Sequence, residues 1–178
     1  MFFRNLVILA IFARGAVRTA ALPLIAMTLV AAYWVHRDRR RAAGLNEGVT
    51  VELGSPVSLK KVSSFAILFL LLQVLATLGQ LWIGNAGFQI VSVLGGLFSS
   101  ASTTAAAANM AMHGDVSPTQ AGIAVVFTSI ASALISLPLV RRQTKLRHQM
   151  RTLVLSSALQ VISALAILFF ELRIAGQL

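Results

Sequence analysis

The residue types best suited to contact an ion or a solute lie together at 95–111, in the segment GGLFSSASTTAAAANMA. Serine and threonine hydroxyls donate and accept hydrogen bonds, and glycines allow close approach to the backbone. Long apolar segments flank this stretch, so its hydroxyls either pack helices together or contact a species that crosses a membrane. The candidate residues for such a path are Gly95, Gly96, Ser99, Ser100, Ser102, Thr103, Thr104 and Asn109.

Polar residues also recur at helical spacing in the other apolar segments. Gln73, Thr77 and Gln80 follow the i, i+4, i+7 pattern of a single helix face. Helix packing explains any one such stripe. Stripes on four consecutive segments predict a shared polar interior, and Gln73 and Gln80 therefore join the predicted path. The remaining stripes are Ser92, Gly96, Ser99 and Thr103 in 86–112, Thr128, Ser132 and Ser136 in the following segment, and Ser156, Gln160 and Ser163 in the last.

Charged residues give little support for catalysis. The three histidines lie at segment ends or in loops, with no carboxylate close in sequence to pair with them. No carboxylate lies in the middle of an apolar segment, which argues against a dehydrated divalent-cation site. We therefore predict neither an enzyme, nor a metal site, nor a cofactor, and hydroxyls suit a hydrated cation, an anion or a neutral solute. Arg4, flanked by apolar residues, is either an interfacial anchor or an intramembrane charge with a functional role.

Composition places these residues in an integral membrane protein. The 178 residues are 57% hydrophobic and only 11% charged, whereas about a quarter of a soluble domain is charged. The net charge of +10 is concentrated at segment ends, mainly at 36–41, 59–61 and 141–151. That placement indicates cytoplasmic anchors facing anionic lipid headgroups rather than nucleic-acid binding. We expect a single polytopic domain over 1–178, in contact with the lipid bilayer.

The fold class predicted is all-α, with about five transmembrane helices and a short N-terminal helix. A helix needs about 20 apolar residues to cross the hydrocarbon core. The short helix covers 6–12, between Arg4 and Arg14, and a polar loop covers 42–56. The predicted spans are 20–36, 62–83, 86–112, 119–140 and 152–172.

The basic loops at 37–61 and 141–151 raise a conflict over topology. Both should be cytoplasmic, which requires an even number of crossings between them, yet three apolar segments intervene. Only 86–112 has the glycines and hydroxyls needed to break a helix. On its length we favour a full span, locally broken at Gly95–Gly96. The alternative is a re-entrant pair of half-helices.

Several motifs resemble a known membrane family. FFRNLVILAIF, LGSPVSLKKVSSFAILFLLLQVLA and WIGNAGFQIVSVLGGLFSSASTT occur in the order found in the membrane domain of unknown function that follows the MgtC/SapB module. The similarity covers about 3–140. Hydroxyls at Ser99 and Ser100 replace the Asp that the family often carries, and the intramembrane Lys of the next span is absent.

The resemblance implies a link to magnesium homeostasis, a bacterial inner membrane location and a chain that corresponds to the second half of a two-repeat protein. Met1 would then be a truncated or late start, and the protein would pair with a missing N-terminal half or form a homo-oligomer. We predict a multi-pass transport or channel-type protein for a small ion or solute. The alternative is a non-transporting regulatory or structural membrane subunit.

Overall fold

A computed structural model describes residues 1–42, 59–143 and 147–174. Every regular element within these ranges is an α-helix, and the predicted loop at 42–56 lies outside them except for Ala42. The helices are α1 (Phe2–Phe12), α2 (Arg14–Ala42), α3 (Leu59–Ile83), α4 (Asn85–Phe98), α5 (Ser100–His113), α6 (Pro118–Gln143) and α7 (Arg147–Ile174).

Four of the described helices, not five, are long and apolar enough to cross a membrane. They are α2, α3, α6 and α7. The short N-terminal helix is confirmed as α1. The predicted span at 86–112 is instead divided between α4 and α5, each of 14 residues. At 1.5 Å per residue such a helix is about 21 Å long, which is less than the hydrocarbon thickness of about 30 Å.

Residue contacts fix the direction of α4. Gly87 of α4 lies against Gly79 of α3, and Gly95 lies against Leu72, so these two helices are antiparallel. Between α4 and α6, the amide of Gln89 bonds to Gln120, and Gly96 lies against Thr128. The residue numbers of the contacting pairs increase together along the two helices. The α4 and α6 helices therefore run in the same direction and begin at the same end of the bundle.

The α5 helix therefore leads back to the end at which α4 began. It joins the tip of α4 to residues 114–117 and the start of α6. The segment 85–113 is thus a helical hairpin that enters and leaves the bundle at one end. Our preference for a full span was wrong, and the pair of half-helices is the arrangement present.

This hairpin removes the conflict between the two basic loops. Only α3 and α6 run the length of the bundle between them, one in each direction. The helix ends that adjoin 43–58 and 144–146 consequently lie at the same end of the bundle, opposite Asn85 and Gly114.

The α1 helix is a second half-length element. Asn5 bonds to Ser129 of α6 and Gly15 lies against Pro118, so α1 runs antiparallel to α6 from its middle to its start. The chain then reverses at Ala13, and α2 packs beside α6 through the contact of Ala16 with Gly122. Small residues such as these allow close helix contacts, and buried alanines fill much of the core.

Candidate functional site

The break between α4 and α5 is at Ser99. Its backbone is extended (φ −156°, ψ 103°), which ends α4 after Phe98. The Ser99 hydroxyl accepts a hydrogen bond from the Ser102 amide at 3.3 Å, and its carbonyl accepts one from the Thr103 amide at 3.1 Å. Ser99 is therefore the N-cap that starts α5, because serine oxygens replace the missing partners of a helix's first amides.

The predicted break at Gly95–Gly96 is thus misplaced, because both glycines lie inside α4. They serve close packing instead. A Cβ atom on Gly95 would lie 2.6 Å from the Thr103 hydroxyl, and one on Gly96 would lie 2.6 Å from the Thr128 carbonyl oxygen. For these two residues the packing explanation is sufficient.

The hairpin tip carries a group of buried hydroxyls, which we call the tip cluster: Ser99, Ser100, Ser102, Thr103 and Thr104. All but the partly exposed Ser99 are buried. The Thr103 hydroxyl donates to the Ser99 carbonyl oxygen at 2.9 Å, and the hydroxyls of Ser99 and Ser102 lie 3.0 Å apart. The Thr104 hydroxyl is fully buried and has no hydrogen-bond partner among the described residues.

Arg4 of α1 approaches the tip cluster. Its Nη2 lies 3.4 Å from the Ser100 hydroxyl oxygen, which is a long and weak hydrogen bond. The guanidinium remains largely exposed, whereas Ser100 is buried. The first N–H groups of α5 also lie at the tip, and the N-terminal N–H groups of a helix have no partners within the helix. Because α4 ends at the same tip, its last carbonyls offset the dipole of α5, and the positive charge near the tip is that of Arg4.

The amide residues of the predicted path are divided between two other places. Gln73 Nε2 donates to Asn109 Oδ1 at 2.9 Å, which ties α3 to α5. Gln80 Nε2 donates to Asn85 Oδ1 at 3.2 Å, close to the turn between α3 and α4. Gln80 is thus near the end of the bundle where the hairpin enters, away from the tip.

Asn5 is a buried polar residue that the sequence analysis did not select. It is fully buried, its Nδ2 donates to the Ser129 hydroxyl at 3.0 Å, and its Oδ1 has no partner in the part of the chain that the structure describes. The available signal was an amide next to Arg4 in an otherwise apolar segment. Among the described residues, no three His, Asp or Glu side chains lie together in an arrangement that could hold a metal ion.

Comparison with known proteins identifies a family. Neither a curated protein nor a solved structure matches the chain. The sequence model of a domain of unknown function, DUF4010, matches residues 1–143. The match covers most of the 178 residues, and the chain belongs to the DUF4010 family.

Proposed function

We propose that this protein is a multi-pass protein of the cell membrane that transports a small ion or solute, with the tip cluster as part of its path. One observation carries the proposal: a helical hairpin stops partway through the bundle and places buried hydroxyls at its tip. In a bilayer, such a reversal of the backbone persists only where it is buried in protein or lines a water-filled cavity. Helices that end at mid-membrane form the substrate sites of many transporters.

Insertion into a membrane is supported by the four long apolar helices. Their outward faces carry large apolar side chains, among them Leu29, Leu70 and Phe169. The basic segments adjoin helix ends at one end of the bundle, and the excess of basic residues in cytoplasmic loops supports a cytoplasmic location for that end. The hairpin then enters from the opposite side.

The charges around the tip favour an anion or a solute with an electronegative atom. Arg4 is positively charged, and the first N–H groups of α5 that Ser99 does not cap can donate to an anion. An arginine at hydrocarbon depth is costly unless it has a partner. An anion that passes the tip would supply one.

A structural or regulatory subunit is the second candidate, and close packing favours it. Gly79, Gly87, Gly95 and Gly96 all lie in tight helix contacts. Most hydroxyls of the tip cluster bond within their own helix, as expected if they only shape the hairpin. Substitutions that remove hydroxyls while preserving shape will separate the two functions.

We would measure chloride, potassium and glycerol fluxes in proteoliposomes. The wild type is expected to conduct chloride best, and Ser100→Ala and Thr104→Val to lower its flux about tenfold, the effect of one hydrogen bond of about 1.4 kcal/mol. Arg4→Gln should reduce the preference for chloride over potassium. Ser63→Ala, on the exposed side of α3, is the matched control and should leave the fluxes unchanged. Wild-type liposomes that pass none of the three species would instead support a non-transporting subunit.

A role in magnesium homeostasis is a further part of this proposal and rests on the resemblance to the domain that follows MgtC/SapB. Deletion of the gene should then impair growth at limiting magnesium more than at high magnesium. Equal growth of the deletion and parent strains across magnesium concentrations would remove this link and leave the transport proposal intact.

A further inference from the structure

One face of α2 combines two arginines with a row of aliphatic side chains. Its exposed residues follow one another at intervals of three or four, which is the spacing of a single helix face. They are Arg14, Arg18, Leu22, Ile25 and Leu29. The other sides of α2 pack against α1, α6 and α7. We call this outward face the α2 stripe.

The two arginines lie at the end of the bundle opposite the basic segments. Gly15, between them, lies against Pro118, the first residue of α6. The α6 helix begins at the same end as Asn85, so α2 begins there too. The excess of basic residues in cytoplasmic loops therefore does not account for Arg14 and Arg18.

The arginines suit an anion that comes from outside the chain. The carboxylates of this end are Asp115, just before α6, and Glu171, near the end of α7. The Glu171 Oε2 oxygen is buried and has no hydrogen-bond partner among the described residues, so it does not bond to either arginine. A guanidinium binds phosphate through two parallel hydrogen bonds. Phospholipid phosphates lie at the depth of the helix end and offer such an anion.

The aliphatic part of the stripe matches a lipid acyl chain in length. From Arg18 to Leu29 the helix rises by about 17 Å at 1.5 Å per residue. One leaflet of the hydrocarbon core is about 15 Å thick, which is half of the full thickness of about 30 Å. A lipid whose phosphate contacts the two arginines can therefore place one acyl chain along Leu22, Ile25 and Leu29.

The charge of the headgroup separates the lipids that this surface can accept. Phosphatidylcholine carries a cation beside its phosphate, and like charges repel, so that cation opposes the approach of a second guanidinium. Phosphatidylglycerol carries hydroxyls in its place and has a net negative charge. Two arginines one helical turn apart consequently favour the anionic lipid.

We propose that the α2 stripe binds one anionic phospholipid in the leaflet opposite the basic segments. Arg14 and Arg18 hold the phosphate, and the three aliphatic side chains contact an acyl chain. The tip cluster takes no part in this site, so the inference does not depend on the proposed transport path.

Photolabelling of the full chain would locate this lipid. Phosphatidylglycerol and phosphatidylcholine probes, each with a diazirine in the middle of one acyl chain, are added in trace amounts to phosphatidylcholine vesicles that contain the protein. After irradiation, peptide mass spectrometry should find at least about threefold more label on residues 22–29 from the phosphatidylglycerol probe. The exposed face of α3 around Leu70 is the internal control and should take up both probes equally.

Substitution of the arginines tests the role of their charge. Arg14→Gln combined with Arg18→Gln should remove the preference on residues 22–29 and leave the labelling of α3 unchanged. Lys60→Gln combined with Lys61→Gln makes the same charge change at the opposite end and should preserve the preference. Replacement of both arginines by lysine should retain part of it, because lysine keeps the charge without the planar fork.

Three results would overturn the proposal. Equal labelling of residues 22–29 by both probes would show that the stripe contacts lipid without selecting it. A preference that survives loss of both arginines, or falls equally in the lysine control, would assign the effect to the net charge of the protein. Labelling of α3 without any labelling of α2 would mean that another protein segment covers the stripe.

Discussion

Gly87 shows at the scale of one residue how closely α3 and α4 approach. A Cβ atom there would overlap the Gly79 carbonyl oxygen and lie 2.6 Å from the carbonyl carbon. Gly87→Ala should therefore destabilise the fold by about 1–3 kcal/mol, despite the better helix propensity of alanine. Unfolding in mixed micelles would measure the change. Gly15→Ala, which meets only ring atoms of Pro118, should cost less, and an equal loss in both variants would contradict the backbone contact.

Two threonines compare a buried hydroxyl that has a hydrogen-bond partner with one that has none. The Thr128 hydroxyl donates to the Ser92 carbonyl oxygen at 2.9 Å, whereas the buried Thr104 hydroxyl has no partner within the described ranges. Thr128→Val should thus lower the free energy of unfolding by about 1 kcal/mol, and Thr104→Val should leave it unchanged or raise it. Unfolding of both variants in the same micelles is the measurement. A clear loss in Thr104→Val would show that its hydroxyl serves packing.

Among the helices, the α4–α5 hairpin depends on the cap at Ser99. Ser99→Ala removes the acceptor for the Ser102 amide and should cost about 1 kcal/mol, while Ser99→Asn retains a good N-cap and should cost less. Thermal unfolding followed by circular dichroism would compare them. Equal stability of wild type and Ser99→Ala would mean that burial alone maintains the reversal.

The hairpin also predicts which parts of the chain are accessible from each side of a membrane. The chain has no cysteine, so single cysteines at Asn85, Gly114, Glu47 and Thr144 can be labelled with an impermeant thiol reagent in intact cells. Asn85 and Gly114 should label together from outside, and Glu47 and Thr144 should be protected. Labelling of only one of Asn85 and Gly114 would show that the segment crosses the membrane.

Sequence patterns identified this segment as the source of the topology conflict but did not resolve it. The apolar length of the segment favours a span. The local signal for a reversal is the pair Ser99–Ser100, in which Ser99 is extended and Ser100 begins α5. The glycines suggested the wrong break because glycine disrupts helices in general, whereas here neighbouring helices require its small size. Whether Gly96 breaks the helix or packs within it depends on its contact with Thr128 of α6, a residue distant in sequence.

At the scale of the whole molecule, helix content and the positions of long apolar helices follow from local composition. The approach of Arg4 to Ser100 does not, because it brings together residues 96 positions apart in the sequence. The hydroxyl stripes predicted a polar interior, and the tip cluster is a group of buried hydroxyls of the kind predicted. Gln73 and Asn109, however, use their amides to bond to each other.

The surface of α1 bears on assembly. Arg4 is exposed there beside apolar side chains, including Phe3 and Ile11 at 67% exposure each. An arginine that faces hydrocarbon is costly, whereas one at a protein interface can find backbone or water partners. We therefore propose that two copies of the chain pack together through this face of α1. The exposed face of α3 around Leu70 carries apolar neighbours, Ile67 and Val74, by comparison and suits contact with lipid.

Single cysteines can test this interface in the native membrane. Val7→Cys, on the exposed face of α1, should form a disulfide-linked dimer on mild oxidation, and Leu70→Cys, on α3, should not. Disulfide formation requires Cα atoms within about 7 Å, so random collision gives much less product than a stable interface. Arg4→Leu removes the charge that makes this face costly in lipid, so it should weaken the dimer and lower the yield of cross-linked Val7→Cys. Equal cross-linking at Val7 and Leu70, or a monomer by mass measurement in mild detergent, would argue against this face as the site of assembly.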